Sequence, residues 1–432
     1  MKFYSTQRKS PTIGLQEAVM NGLAPDGGLY MPSQIPHFPN NFFKQANSMS
    51  FQDIAFEVGK NFFIPDLPKN TLMGMVRESF NFAVPLVELD KQLYALELFH
   101  GPTCAFKDFA ARFMACLFGF FAEKSQQEIT IIVATSGDTG SAVAHGFSNV
   151  NGVKVIILYP SGKVSSLQEK QLTGMGGNIT ALEVQGTFDD CQKLVKQAFL
   201  NRELKEKMTL TSANSINIAR LLPQSFYYVY LCVQLNQKKA PIVVSVPSGN
   251  FGNLTAGIIA KKMGAPIAKF VASTNSNDIV PKYLQTGYFK PKPSVSTISN
   301  AMDVGNPSNF SRMLELYEND VVKMRNDIHG VSFSDVETRE AISSVFQRYR
   351  YIMDPHGAVA YLGLIDFMKK FKGYMGVFLE TAHPAKFFEE VEKIIGVSVS
   401  MPDRLKSYLD REKQVILLSN DFSEFKNFLL RF

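Results

Sequence analysis

Tryptophan is missing from these 432 residues, and cysteine is scarce, with only Cys104, Cys116, Cys191 and Cys232. No two of the four stand at C-x-x-C spacing. Neither a disulfide framework nor a zinc knuckle is indicated, and free thiols in a reducing cytosol are the expectation. The six histidines fall into no H-E-x-x-H or similar spacing, so no metal centre is expected. Lysine and arginine never cluster into a run. The net charge of +6 is thinly spread, which argues against a nucleic-acid partner and suits anionic small molecules only mildly. No apolar stretch is long enough to span a bilayer, and "MKFYSTQRKSPTIGLQEAV" has no apolar leader core. The expectation is no membrane partner and a cytoplasmic location. Low-complexity segments and internal repeats are lacking too.

What is present is an ordinary globular balance, 45% hydrophobic and 19% charged, long enough for two or three domains. The first ninety residues are mixed: "LAPDGGLYMP" reads as turn, strand and turn, "FQDIAFEVGKNFF" as an amphipathic helix, and "LVELDKQLYALELF" as a hairpin turning at "LDKQ". A regular alternation follows. "ITIIVAT", "VKVIILYP", "TALEVQG", "PIVVSVP", "KFVASTN" and "YMGVFLE" are short apolar strands, each leading through a loop toward a helix. The pattern predicts an α/β protein with parallel-rich sheets covered by helices, whose ligands sit at loops beyond the carboxyl ends of the strands. The expected division is an N-terminal subdomain over 1–92, a smaller α/β domain over 93–235 and a larger one over 236–432. "INIARLLPQSFYYVYLCVQL" reads as one long helix. Residues 275–326, rich in Pro, Ser and Asn, read as an excursion over the surface or across the mouth of the site.

One lysine stands out. In "HGPTCAFKDFA", Lys107 opens a helix that looks buried nearly all round, with Phe109, Phe113, Met114, Leu117 and Phe118 following it. The plain reading is a lysine that snorkels to water beside Asp108. The alternative is an amine with depressed basicity at the positive end of a buried helix, which is what Schiff-base chemistry with a carbonyl needs.

Six stretches bear on that choice. "VPSGNFGN" (Val246–Asn253) joins a strand to a helix starting near Leu254. Gly249 and Gly252 let the backbone approach an anion, and successive N–H groups can cradle a phosphate. It is neither a Walker A loop nor G-x-G-x-x-G, which disfavours ATP and NAD. "TSGDTGSA" offers Ser136, Gly137, Thr139 and Gly140 to a carboxylate, and Asp138 either caps the helix or faces a proton donor. "SSLQEKQ" and "TSANSINIAR" supply Ser165, Lys170, Asn214, Asn217 and Arg220 as anion binders or as ordinary caps and surface charge. In "ETAHPAKF", Thr381 is the interesting hydroxyl and His383, before proline, reads as structural. "DPHGAVAY" reads as a turn capping a helix.

Taken in order, "ELFHGPTCAFKDF", "SGDTGSA", "SANSINIARL", "VPSGNFGN", "NAMDVGNPSN", "DPHGAVAY" and "TAHPAKF" make the chain resemble, end to end, the threonine synthases of the bacterial and fungal branch. These are tryptophan-synthase-β-like, fold type II pyridoxal-phosphate enzymes. The resemblance implies that Lys107 holds pyridoxal 5'-phosphate in a Schiff base and is the catalytic residue. It implies that Gly249, Asn250, Phe251, Gly252 and Asn253 bind the cofactor phosphate, that Thr381 meets the pyridine nitrogen, and that the loop with Ser136, Gly137 and Thr139 holds the substrate carboxylate. Related enzymes commonly carry asparagine near the cofactor 3'-oxygen, where this chain has Asp138. The implied reaction is γ-elimination of phosphate from O-phospho-L-homoserine and addition of water to give L-threonine. Arg112, Lys163, Lys170, Asn214 and Arg220 are candidates for the leaving phosphate. The rivals are a phospho-lyase that releases 2-oxobutyrate and a non-catalytic relative that keeps the fold. A monomer or a homodimer is expected.

Overall fold

The computed structural model describes residues 1–64 and 66–432. Near the start, β1 (Lys2–Ser5), β2 (Ile13–Gly14) and β3 (Tyr30–Pro32) form a small antiparallel sheet in the order β2-β1-β3. The predicted hairpin is β4 (Leu86–Asp90) and β5 (Leu93–Glu97), antiparallel, with Gln92 in the left-handed region at φ 63° where the chain reverses.

The remaining strands are β6 (Ile129–Ala134), β7 (Val153–Pro160), β8 (Ile179–Gln185), β9 (Thr209–Ser212), β10 (Ile242–Pro247), β11 (Ile267–Thr274), β12 (Ile328–Ser332), β13 (Met375–Glu380) and β14 (Ile416–Ser419). Two larger sheets result, one of order β14-β8-β7-β6-β9 and one of order β12-β11-β10-β13-β5-β4. Every pairing in them is parallel except β4 with β5. The residues of β6, β10 and β13 are all buried, as strands covered on both faces must be.

Sheet membership is not contiguous in sequence. The boundary expected at 92/93 falls inside the β4–β5 hairpin, and β5 pairs with β13 in the larger sheet. The last strand returns to pair with β8 in the smaller one. The alternation locates strands but says nothing about which neighbours they choose. The predicted long helix is also interrupted: Ile218–Leu221 is helical, Leu222–Gln224 tightens to a 3₁₀ turn, and Ser225–Gln234 resumes. Pro223 explains the break, since its ring displaces a helical N–H.

Phenylalanines surround the helix Lys107–Ser125. Phe109 and Phe113 pack edge-on or tilted against Phe51, Phe63, Phe82 and Phe226, and Phe80 is tilted against Phe109 and stacked with Phe113, so the helix is held on nearly every side. That packing fixes the position of its first residue.

Candidate active site

A cleft of about 1970 Å³ opens where the two larger sheets present their carboxyl ends. The ends of β6 (Ala134–Ser136), β9 (Ser212, Asn214), β10 (Pro247–Asn253) and β13 (Thr381) all line it. Residues Asn300–Asn306 close over one side, so the excursion expected from composition does cross the mouth. It is pinned there by Asp303, which accepts from Thr297, Asn275 and Asn277.

Lys107 reaches the cleft from the first position of its helix. The preceding segment is clamped to the loop after β13. Ala105 bridges Ala382, the Phe106 N–H donates to the Thr381 carbonyl at 2.8 Å, and the His383 N–H donates to the Cys104 carbonyl at 3.0 Å. Lys107 and Thr381 are thereby held on one frame. Asp108 is not the partner of Lys107. It turns inward, fully buried, and accepts from the Thr103 N–H and hydroxyl at 2.8 and 2.7 Å. The carboxylate near the Lys107 amine is Asp138, at 3.6 Å. Burial depresses the basicity of Lys107, Asp138 opposes that, and the charges of Lys386 and Arg220 add to the depression, leaving it below the ordinary lysine value.

Asp138 does not cap its helix, because Gly137 holds the N-cap position and Asp138 begins the helix Asp138–Phe147. Burial alone would raise its carboxyl. Ion pairs with Lys386 and then with Lys107, together with the Gln168 amide, outweigh that and hold it well below the usual carboxylate range.

Opposite Lys107 lies the glycine loop. The helix begins at Gly252, two residues earlier than the sequence suggests, and Phe251 occupies the left-handed region at φ 61° just before it. A Cβ on Gly249 would meet Met302 Cα at 2.6 Å, so glycine is needed there for the close approach of the Asn300–Asn306 loop, whereas one on Gly252 would stand in ordinary contact, 3.4 Å from Asn309 Nδ2. Asn253 adds a further signal. Its Oδ1 accepts from both Tyr227 and Tyr228 at 2.7 Å, which leaves the buried Nδ2 as a donor without a partner. The Asn250 side chain is spent within the protein, donating to Ser215 and accepting from the Ser308 N–H, so only its backbone is offered. Backbone N–H groups at a helix start, an orphaned amide and a desolvated lysine fit an aldehyde that carries a phosphate dianion.

The other expected residues divide. Ser136, Thr139, Asn214 and Arg220 line the cleft. Arg220 is buried, donates to the Ala213 carbonyl at 2.6 Å and leaves Nε without a partner; burial lowers its guanidinium to about 10. Gly137 is turned away, its N–H taken by Thr135 at 3.0 Å and its Cα covered by the Gln168 carboxamide. Three cations do not reach the cleft. Arg112 donates to the Glu78 carbonyl, Lys170 to the Leu409 carbonyl, and Lys163 is exposed on the turn after β7. Helical phase sends Arg112 away from Lys107, and Lys170 lies on the far side of the helix Ser166–Thr173. Ser165 and Asn217 are helix caps. Cys104 is buried against Arg404 at 2.9 Å, and all four cysteines are free. His383 caps the turn Pro384–Phe387, and burial lowers it to about 4.

Two residues escaped the sequence reading. Lys386 lies in the "TAHPAKF" stretch, hidden behind the more conspicuous Thr381 and His383, and is fully buried against Asp138. His356 lies in "DPHGAVAY". Asp354 does cap that helix, but His356 also lines the cleft and accepts from the Ala301 N–H at 3.2 Å, supporting the loop over Gly249.

Known proteins resemble this chain over its whole length. Residues 80–379 match the family described as pyridoxal-phosphate dependent enzyme, residues 2–80 the threonine synthase N terminus, and residues 358–429 the threonine synthase C-terminal family. A threonine synthase of Haemophilus influenzae is 45% identical over the whole of both chains. The crystal structure of threonine synthase from Escherichia coli superposes with a TM-score of 0.94 at 41% identity, covering all of both chains. That of PLP-bound threonine synthase from Brucella melitensis gives 0.94 at 33% identity, covering 100% of this chain and 99% of the other.

Proposed function

The chain belongs to the threonine synthases, pyridoxal-phosphate-dependent lyases of fold type II, and we propose that its cleft converts O-phospho-L-homoserine and water to L-threonine and phosphate. The observation that carries this reading is the meeting of a desolvated lysine amine, a hydroxyl at a strand end and a phosphate cradle across one cleft. Lys107 would hold the cofactor through a covalent link to its amine. Gly249 to Asn253 would take the cofactor phosphate on backbone N–H groups and on Asn253 Nδ2, and the Thr381 hydroxyl would meet the ring nitrogen. When bound, pyridoxal phosphate supplies an electron sink for charge left on a substrate carbon.

The rest falls to the protein. Ser136, Thr139 and the N-terminal turn of the helix Asp138–Phe147 receive the substrate carboxylate. Arg220 Nε, buried and unpaired, is the strongest donor available to the departing phosphate, with Asn214 beside it. The Lys107 amine, displaced by substrate, is the base that takes the proton from Cα and Cβ and returns one at Cγ and Cα. A flexible four-carbon stem lets one amine serve neighbouring carbons, and burial lowers its basicity below the ordinary lysine value. The protein acts in the cytoplasm, as a monomer or a homodimer.

Incubation of purified protein, loaded with cofactor, with O-phospho-L-homoserine tests the reading. Equal amounts of threonine and phosphate are expected. Phosphate accompanied by 2-oxobutyrate and no threonine would make it a phospho-lyase, and no phosphate at all would make it a non-catalytic relative.

A further inference from the structure

The reactive lysine shares its carboxylate with a second lysine. Lys386 sits in the short turn after β13, on the side of the larger sheet. Its ammonium reaches Asp138 Oδ1 at 2.7 Å and the Thr103 carbonyl at 3.0 Å, and its side chain is 0% exposed. Asp138 begins a helix of the smaller lobe and is itself 3% exposed. Its Oδ1 also accepts from Gln168 at 2.9 Å, while Oδ2 lies 3.6 Å from Lys107. Asp138 thus makes its short contacts, to Lys386 and Gln168, through Oδ1, and Lys107 is held at a longer distance from Oδ2.

We propose that Lys386 is a positioning residue of the site: its buried ammonium claims the Asp138 carboxylate and so leaves the Lys107 amine free to act as a neutral nucleophile. The charges around Lys107 make the argument. Asp138 faces it from the smaller lobe, Lys386 from the turn after β13, and Arg220 from the helix Ile218–Leu221. Asp108, the other carboxylate near Lys386, is occupied by Thr103. Asp138 and Lys386 together carry no net charge. Remove Lys386, and Asp138 retains Lys107 as its one close cation. A buried carboxylate then stabilises the protonated form of Lys107, and the amine loses its lone pair to the ion pair. Attack on a carbonyl needs that lone pair. The pair would thereby do the work of a neutral side chain beside the cofactor while also tying one lobe to the other.

The consequence rests on Lys107 being the cofactor lysine, and the two readings fail separately. Full-length protein freed of cofactor is labelled with isotopic acetic anhydride across a pH series, and the acetylated fraction of the Lys107 peptide is read by mass spectrometry. Lys386→Gln should move the midpoint of Lys107 labelling upward by about one unit or more, and slow its labelling about tenfold at a fixed pH below the midpoint. Asp138→Asn should move the midpoint downward. The double variant should return close to the parent, because the charge nearby is again zero. A merely structural contact would not give shifts of opposite sign that cancel. An unmoved midpoint in Lys386→Gln with a native circular-dichroism spectrum would overturn the inference. Should that variant not fold, equal midpoints in Asp138→Asn and the double variant would overturn it. Cofactor found on another lysine overturns the reading of the site instead.

Discussion

Arg312 carries a guanidinium into the interior with no carboxylate partner among the described residues. Burial lowers it to about 9. Four oxygens hold it: the Tyr30 carbonyl at 3.2 Å, the Ser215 carbonyl at 3.0 Å, Asn309 Oδ1 at 2.8 Å and the Ile216 carbonyl at 2.7 Å. One residue thus fastens β3 of the N-terminal sheet, the loop after β9 and the helix Phe310–Leu316. The Ser215 hydroxyl in turn accepts from both Asn250 and Asn309 behind the phosphate cradle. Arg312→Met leaves these acceptors buried and unpaired and should cost about 3 kcal/mol or more in denaturant unfolding. Arg312→Lys should not restore the loss, because one ammonium cannot span the planar fork. Unfolding of either variant at the parent's denaturant midpoint would contradict this account.

Among the elements, the helix Gly252–Lys262 is central, since its first turn belongs to the glycine loop that lines the cleft. Gly252→Asp puts a carboxylate where an anion belongs, against Asn309 and Ser215. Retention of cofactor should fall at least tenfold in equilibrium dialysis while the thermal midpoint stays near the parent's. Unchanged affinity would reduce the loop to a plain turn. This element was legible in the sequence because a strand, two glycines and a helix lie within one short stretch. Lys107 was legible for a similar reason, since an apolar run immediately follows a charged residue. What sequence could not give was partnership across distance. Lys386 lies 248 residues from Asp138 by their numbering, and neither carries a local pattern that names the other. The three misassigned cations, Arg112, Lys163 and Lys170, were near the right loops in sequence, but helical phase and turn geometry pointed their side chains elsewhere. Strand partnership was not legible for the same reason: β14 pairs with β8 across more than half the chain.

At the scale of the molecule, the two larger sheets stand on either side of the cleft, and water must enter at one step and be excluded at others. The loops Thr135–Ala142 and Ser161–Gln171 belong to the lobe of β6 to β9, with Ser136 and Thr139 on the cleft and Gln168 tied to Asp138. Engagement of substrate carboxylate and phosphate together should draw this lobe toward the glycine-loop half. Amide hydrogen exchange in both loops should slow with a non-reactive phosphonate analogue and much less with inorganic phosphate. Equal exchange with and without saturating analogue would mean a preformed site. The claim on which all of this stands is that Lys107 carries the cofactor. Borohydride reduction of the cofactor-loaded protein, followed by peptide mapping, tests it most directly. The account predicts a yellow protein that loses its colour on reduction and a pyridoxyl group on the peptide containing Lys107. A pyridoxyl group found on Lys386 or any other lysine, with Lys107 unmodified, would contradict it.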